Sequence, residues 1–106
     1  MRNTPQRNEK LAGKRAIVTG GSRGIGAAIA EAFVVEGATI AIVHRDDHSN
    51  AERTLGGLQA LNGDCLALDC DIADPQQVRT TIDAVQDQLG GVDILVNCAY
   101  RSVVGR

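Results

Sequence analysis

The chain has 106 residues, 43% of them hydrophobic and 23% charged, with a formal net charge of −2. That length holds one small domain, and the slightly acidic balance offers no basic face to a nucleic acid. No run approaches the roughly 18 apolar residues of a membrane-crossing helix, and the opening Met1–Lys10 is polar, without the apolar stretch of a secretory signal. One Phe, one Tyr and no Trp leave Ala, Val, Ile and Leu to build the core, which suits a parallel sheet covered on both faces. The three cysteines, Cys65, Cys70 and Cys98, lack C-x-x-C spacing. They read as small, reduced, buried side chains in a cytoplasmic setting, and no metal site is expected.

In chain order, residues 1–10 form a flexible polar tail, and Arg15–Thr19 is a first strand. From Ile25 to about Glu36 the pattern turns helical, with Ile25, Ile29 and Phe33 expected on the buried face and Gly37 ending the helix. Thr39–Val43 is a second strand, nearly all apolar. Ser49–Leu61 is a weaker helix, interrupted by Gly56-Gly57. Cys65–Cys70 is a third strand. Asp74-Pro75-Gln76-Gln77 is a strong helix start, with Asp as N-cap, Pro at the first position and Gln at the third. Val78, Ile82, Val85 and Leu89 mark that helix's buried stripe, Gly90-Gly91 ends it, and Val92–Asn97 is a fourth strand. The βαβαβαβ order calls for a parallel sheet with right-handed crossovers.

The residues with most chemical content stand between the first strand and the first helix: Thr19-Gly20-Gly21-Ser22-Arg23-Gly24-Ile25-Gly26. There an anion would meet free helix N–H groups and the positive end of the helix dipole. Gly20 allows the tight exit, Gly24 a backbone approach to phosphate, and Gly26 close helix packing. The spacing is G-x-x-x-G-x-G, neither the general G-x-G-x-x-G fingerprint nor a P-loop.

Thr19–Gly26 resembles the T-G-x-x-x-G-x-G cofactor motif of the short-chain dehydrogenase/reductase family in its NADP(H)-preferring form. The resemblance runs from about Leu11 to Ala99. Asp71-Ile72 is similar to the pair that contacts adenine in that family, and Asn97-Cys98-Ala99 to the start of its Asn-Asn-Ala-Gly motif. The resemblance implies a truncated Rossmann-like α/β half-domain over residues 11–99, with about four strands in order 3-2-1-4 and three helices. It also implies a dinucleotide as cofactor and carbonyl/alcohol hydride transfer as the ancestral chemistry, with 3-oxoacyl-thioester reductases as the nearest guess.

A free ribose 2′-hydroxyl is usually met by a carboxylate at the end of the second strand, about 20 residues past the glycines. Here His44 and Arg45 stand there, and Arg23 lies in the loop. Arginine suits a 2′-phosphate, so NADP(H) is expected over NAD(H). Asp46 and Asp47 are the counter-argument. His44, at the adenosine-ribose corner, reads as a spacer or minor phosphate donor and not as a catalyst.

The family's Tyr with Lys four residues on, and a Ser upstream, cannot be assembled. Such a phenol needs a neighbouring ammonium to ionise near neutrality. The sole tyrosine, Tyr100, has Val104 four residues on, and the lysines are Lys10 and Lys14. The family pattern ceases after Ala99, where Tyr100 replaces a Gly and is expected to crowd the ribose. Residues 100–106 therefore read as a non-family tail on a truncated product, from a shifted frame, an altered splice or a partial gene model. No catalytic residue is assigned. The fourth strand becomes an edge, with Ile94, Leu95 and Val96 expected to be uncovered. A non-catalytic module that pairs through this edge with itself or a full-length homologue is the alternative function.

Overall fold

The computed structural model describes residues 9–99. The expectations for the first eight residues and for residues 100–106, Tyr100 included, lie outside the described residues. Seven elements follow in the order β1 (Arg15–Thr19), α1 (Gly24–Val35), β2 (Thr39–His44), α2 (His48–Leu61), β3 (Leu66–Asp69), α3 (Pro75–Leu89) and β4 (Ile94–Asn97). The four strands form one parallel sheet in the order β3-β2-β1-β4. This is the expected Rossmann-like α/β arrangement.

Strand alternation divides the core in two. On one face Ala16, Val18, Ile40 and Ile42 pack with Ala30 and Val34 of α1 and Leu58 of α2. On the other, Ile17, Ala41 and Val43 pack with Val85 of α3, joined by Val78, Ile82 and Leu89. The α3 stripe is the one its periodicity predicts.

The α1 face differs from the expectation. Gly26, Ala30 and Val34 are the buried positions, one residue on from Ile25, Ile29 and Phe33. Gly26 lies against the Gly20 carbonyl of the glycine loop, where no side chain fits, and Ala30 and Val34 join the core on the same face. Larger side chains flank the contact, and Ile25 is 76% exposed.

At the start of α3, Asp74 caps the Gln76 N–H at 3.0 Å. Gln77 does not close the box onto the Asp74 N–H. Its Oε1 accepts the Asp71 N–H at 2.8 Å, and its Nε2 reaches Asp74 Oδ2 at 3.2 Å. The Asp74 N–H goes to the Asp71 carbonyl instead, so cap and loop are knit together before the helix begins.

The β4 edge is less bare than expected. Ile94 and Val96 pack partly against the α1/α2 core, and only Leu95, on the opposite face, is 63% exposed. Cys65 and Cys70 flank β3 and are both buried. Cys65 Sγ accepts the Ile40 N–H at 3.4 Å, while burial pushes its thiol pKa up.

Arg15 ties the bottom of β1 to the α3–β4 turn. Its N–H and Nε reach Asp93 Oδ2 at 2.8 and 3.0 Å, and Nη1 donates to the Gly90 carbonyl at 2.8 Å. The hydrogen bonds from Arg15 hold the Asp93 carboxyl below its ordinary pKa. A depressed folded-state pKa adds stability above the unfolded value, which is lost as pH falls through the folded one. Asp93→Asn is therefore expected to melt below the wild type at neutral pH. The gap should begin to narrow as pH falls below the ordinary carboxylate pKa of about 4 and close only below the depressed folded-state value. Melts at both pH values check this, and a gap undiminished in acid would contradict it.

Candidate cofactor site

The strand registers align Thr19 with Val43 and with Asn97, and His44 with Asp69, so the C-terminal ends of all four strands lie side by side. In an open parallel sheet that end holds the ligand crevice. A cleft of about 1260 Å³ opens there. Its walls are the glycine loop and the start of α1 (Gly20, Ser22–Gly26), the end of β2 (Val43–Arg45 and Asp47), the loop after β3 (Cys70–Ala73), and Cys98 and Ala99 after β4.

The loop's shape follows from its glycines. Gly20 has φ +68°, and a Cβ there would stand 2.9 Å from the Ala99 nitrogen. Its N–H and that of Gly21 both donate to the Val43 carbonyl, at 2.8 and 3.3 Å. A Cβ on Gly26 would run into the Gly20 carbonyl. Loop, helix and β4 exit therefore meet backbone to backbone.

The entrance of α1 fits an anion. Arg23, at the N-cap position, provides no side-chain cap, and the first turn holds no acidic residue. The N–H groups there are left to the cleft, with the positive helix end behind them. Nothing lies within 4 Å of a Cβ built on Gly24, so the loop's tip faces open space. These features fit the phosphates of a dinucleotide.

Of the residues to which the sequence points, Gly20, Ser22, Arg23, Gly24, Ile25, Gly26, His44, Arg45, Asp71, Ile72 and Ala99 line this cleft. Thr19 and Asn97 stand behind it. The Thr19 hydroxyl donates to Asn97 Oδ1 at 2.8 Å and accepts the N–H groups of Cys98 and Ala99 at 3.1 and 3.2 Å. They fix the path of the chain leaving β4 beside the loop.

The charged corner holds more than the sequence reading found. Asp47 Oδ2 accepts the Ser22 hydroxyl at 2.6 Å and lies 3.7 Å from Arg23 Nε, and Oδ1 accepts Asn50 Nδ2 at 3.0 Å. Those hydrogen bonds, Ser22's first, hold the Asp47 carboxyl below its ordinary pKa. Asp47 precedes α2 but makes no cap for it; it turns to the loop instead. Its place immediately before a helix is a visible signal, but the partner 25 residues away is not.

Arg45 Nη2 lies 3.7 Å from Asp71 Oδ2, so both arginines face a carboxylate. His44 is buried, and its Nδ1 accepts the Asp47 N–H at 3.2 Å. Beside the corner, Asp46, His48 and Asp69 lie within 4.8 Å of one another, all exposed. Among the described residues no helix is long and apolar enough to cross a membrane.

Comparison with known proteins agrees with this geometry. Residues 14–105 match the short chain dehydrogenase family. General stress protein 39 of Bacillus subtilis (strain 168) is 41% identical over 91 residues, which span 86% of this chain and 32% of that protein. The oxidoreductase YhdF of the same organism is 44% identical over 90 residues, 85% of this chain and 31% of the relative. The chain thus spans about a third of the length of these curated relatives. Among solved structures, a short chain dehydrogenase from Burkholderia cenocepacia J2315, in complex with NADP, superposes with a TM-score of 0.86 at 46% identity, covering 91% of this chain and 39% of that one. A dehydrogenase/reductase from Sinorhizobium meliloti 1021 gives a TM-score of 0.82 at 40% identity, covering 88% of this chain and 37% of that one. In motif, strand order and cleft alike, this chain belongs to the short-chain dehydrogenase family.

Proposed function

We propose that residues 11–99 are the NADP(H)-binding part of a short-chain oxidoreductase acting on a carbonyl/alcohol pair. The observation that carries this reading is the cleft itself: an uncapped α1 entrance beside the glycine loop, leading to a corner with Arg23 and Arg45. Phosphates would rest on the N–H groups of residues 24–26, Asp71 and Ile72 would meet the adenine, and the arginines would face a 2′-phosphate. Thr19 and Asn97 hold the β4 exit in place. Of the two carboxylates weighed against this assignment, Asp47 has each oxygen already accepting one hydrogen bond, from Ser22 and from Asn50. The complex of the Burkholderia relative with NADP supports the same choice of cofactor.

A bound nicotinamide would supply or take up hydride. This chain's own residues bind and orient the dinucleotide. The only lysines, Lys10 and Lys14, precede β1, so the sequence has no Tyr-x-x-x-Lys pair. This chain alone is therefore expected to bind without turnover. Titration calorimetry is expected to show NADPH binding more tightly than NADH, with no NADPH oxidation above background across a panel of small carbonyls, a 3-oxoacyl thioester first. Failure to bind either dinucleotide would overturn the reading, and turnover would overturn the division between binding and catalysis.

The exposed Leu95 on the β4 edge favours a second reading, a nucleotide-binding module that pairs with itself or a longer homologue. Sedimentation of the chain alone and mixed with such a homologue separates the two.

A further inference from the structure

The positive charge offered to a 2′-phosphate is partly offset by carboxylates. Arg23 faces Asp47 and Arg45 faces Asp71, each at 3.7 Å, so the corner sets two cations against two anions. The pairs are built differently. Asp71 is bound up in its own loop, accepting the Ala73 N–H at 3.0 Å. Asp47 reaches across to the glycine loop, where the Ser22 hydroxyl donates to it at 2.6 Å. Ser22 is 5% exposed, and its carbonyl accepts the Thr54 hydroxyl of α2 at 2.6 Å. Two short hydrogen bonds thus clamp the loop to α2, and Asp47 carries one of them on the same oxygen that faces Arg23.

We propose that Asp47 is a positioning residue that sets the dinucleotide preference of the cleft, fixing the loop through Ser22 and withholding Arg23 from a 2′-phosphate. This deepens the reading above and rests on it. A 2′-phosphate must share Arg23 with Asp47, whose carboxylate faces Nε at 3.7 Å, and settle near a negative charge that repels it. A 2′-hydroxyl meets neither obstacle. Asp47 therefore weakens NADP(H) selectively and brings the two dinucleotide affinities together. Each Asp47 oxygen already accepts one hydrogen bond within the protein, Oδ2 from Ser22 and Oδ1 from Asn50, which holds the carboxylate against the loop and α2.

The test is calorimetric, with NADPH and NADH on the 106-residue chain and its variants, each checked for folding by circular dichroism. Asp47→Asn removes the charge and keeps the shape. It is expected to raise the ratio of NADPH to NADH affinity by about tenfold, or about 1.4 kcal/mol. The gain should vanish in an Arg23→Gln background, where the cation that Asp47 withholds is gone. Ser22→Ala, which alters no charge, should weaken both dinucleotides by the same factor. Should Asp47→Asn not fold, Asp47→Ser carries the same comparison with a shorter neutral side chain. An unchanged ratio in Asp47→Asn and Asp47→Ser, or an equal loss of both dinucleotides in those two variants, would overturn the assignment of Asp47 while leaving the cofactor reading intact. A wild type that binds neither dinucleotide would overturn the cofactor reading, and this assignment with it.

Discussion

Gly26→Ala is expected to cost the chain stability and abolish dinucleotide binding. The added Cβ would run into the Gly20 carbonyl and come within 3.1 Å of the Gly21 Cα. Both are backbone, so no rotamer change relieves the clash, and the helix must tilt or the loop must open. Overpacking of this kind typically costs 1–3 kcal/mol. The helical preference of Ala over Gly returns only about 1 kcal/mol of it. Each net kcal/mol lowers the melting point by about 4–8 °C in a domain of this size. Binding suffers more than folding, since the phosphates would rest on the displaced backbone.

The control is built into the same chain. Gly56 lies inside α2 with nothing within 4 Å of a Cβ built on it. Gly56→Ala is therefore expected to stabilise by about 0.5–1 kcal/mol. Denaturant unfolding of the two variants side by side checks the pair. A Gly26→Ala protein as stable as the wild type would show that α1 does not sit against the loop as described.

Arg45→Asp is expected to reverse the dinucleotide preference. In the wild type Arg45 faces Asp71 at 3.7 Å. The substitution leaves Asp71 beside a second carboxylate, and a 2′-phosphate would then meet negative charge on both sides. Like-charge juxtaposition of this kind costs on the order of several kcal/mol. Solvent access to the corner screens part of that. A loss of NADPH affinity of about tenfold to a hundredfold is expected, roughly 1.4–2.8 kcal/mol, with a much smaller change for NADH. Arg45→Gln, which removes a cation without adding an anion, should fall between the two proteins. If Arg45→Asp left the NADPH/NADH ratio unchanged, the 2′-phosphate assignment would have to be given up. Arg45→Asp and Asp47→Asn push the ratio in opposite directions, so together they separate charge from general disturbance of the site.

Much of the fold was legible because its signals are local. The strand β1 was expected over Arg15–Thr19 and is found there. The start of α3 was expected from Asp74-Pro75, where a side-chain acceptor and a fixed φ act within one turn. The βα alternation itself called for a parallel sheet with right-handed crossovers, while the order 3-2-1-4 came with the family resemblance. The buried face of α1 was misplaced by one residue for a physical reason. Hydrophobic periodicity assumes that large apolar side chains turn inward. Here the helix start is pressed against the glycine loop at Gly26, so Gly26, Ala30 and Val34 form the buried face and Ile25 turns outward. β4 is the edge strand expected, but of its apolar side chains only Leu95 is exposed, because Ile94 and Val96 reach the α1/α2 core.

At the cleft the same division holds. The glycine loop could be read from the sequence because a strand exit, a phosphate cradle and a close helix contact each demand a missing side chain at a set spacing. Arg23 and Arg45 could be named as cations near one corner. Their state could not, because each partner comes from another element: Asp47 from the start of α2 and Asp71 from the loop after β3. Ser22 was expected to face the cofactor with the rest of the loop, but its bonds to Thr54 and Asp47, on either side of it, come only with the fold. By itself the amino-acid order determined where strands and helices run and which glycines shape the loop between β1 and α1. Only the tertiary structure decided which face of α1 is buried, and that both arginines stand opposite carboxylates. Packing distance and charge pairing are set by contacts between elements far apart in the chain, and periodicity and spacing do not encode them.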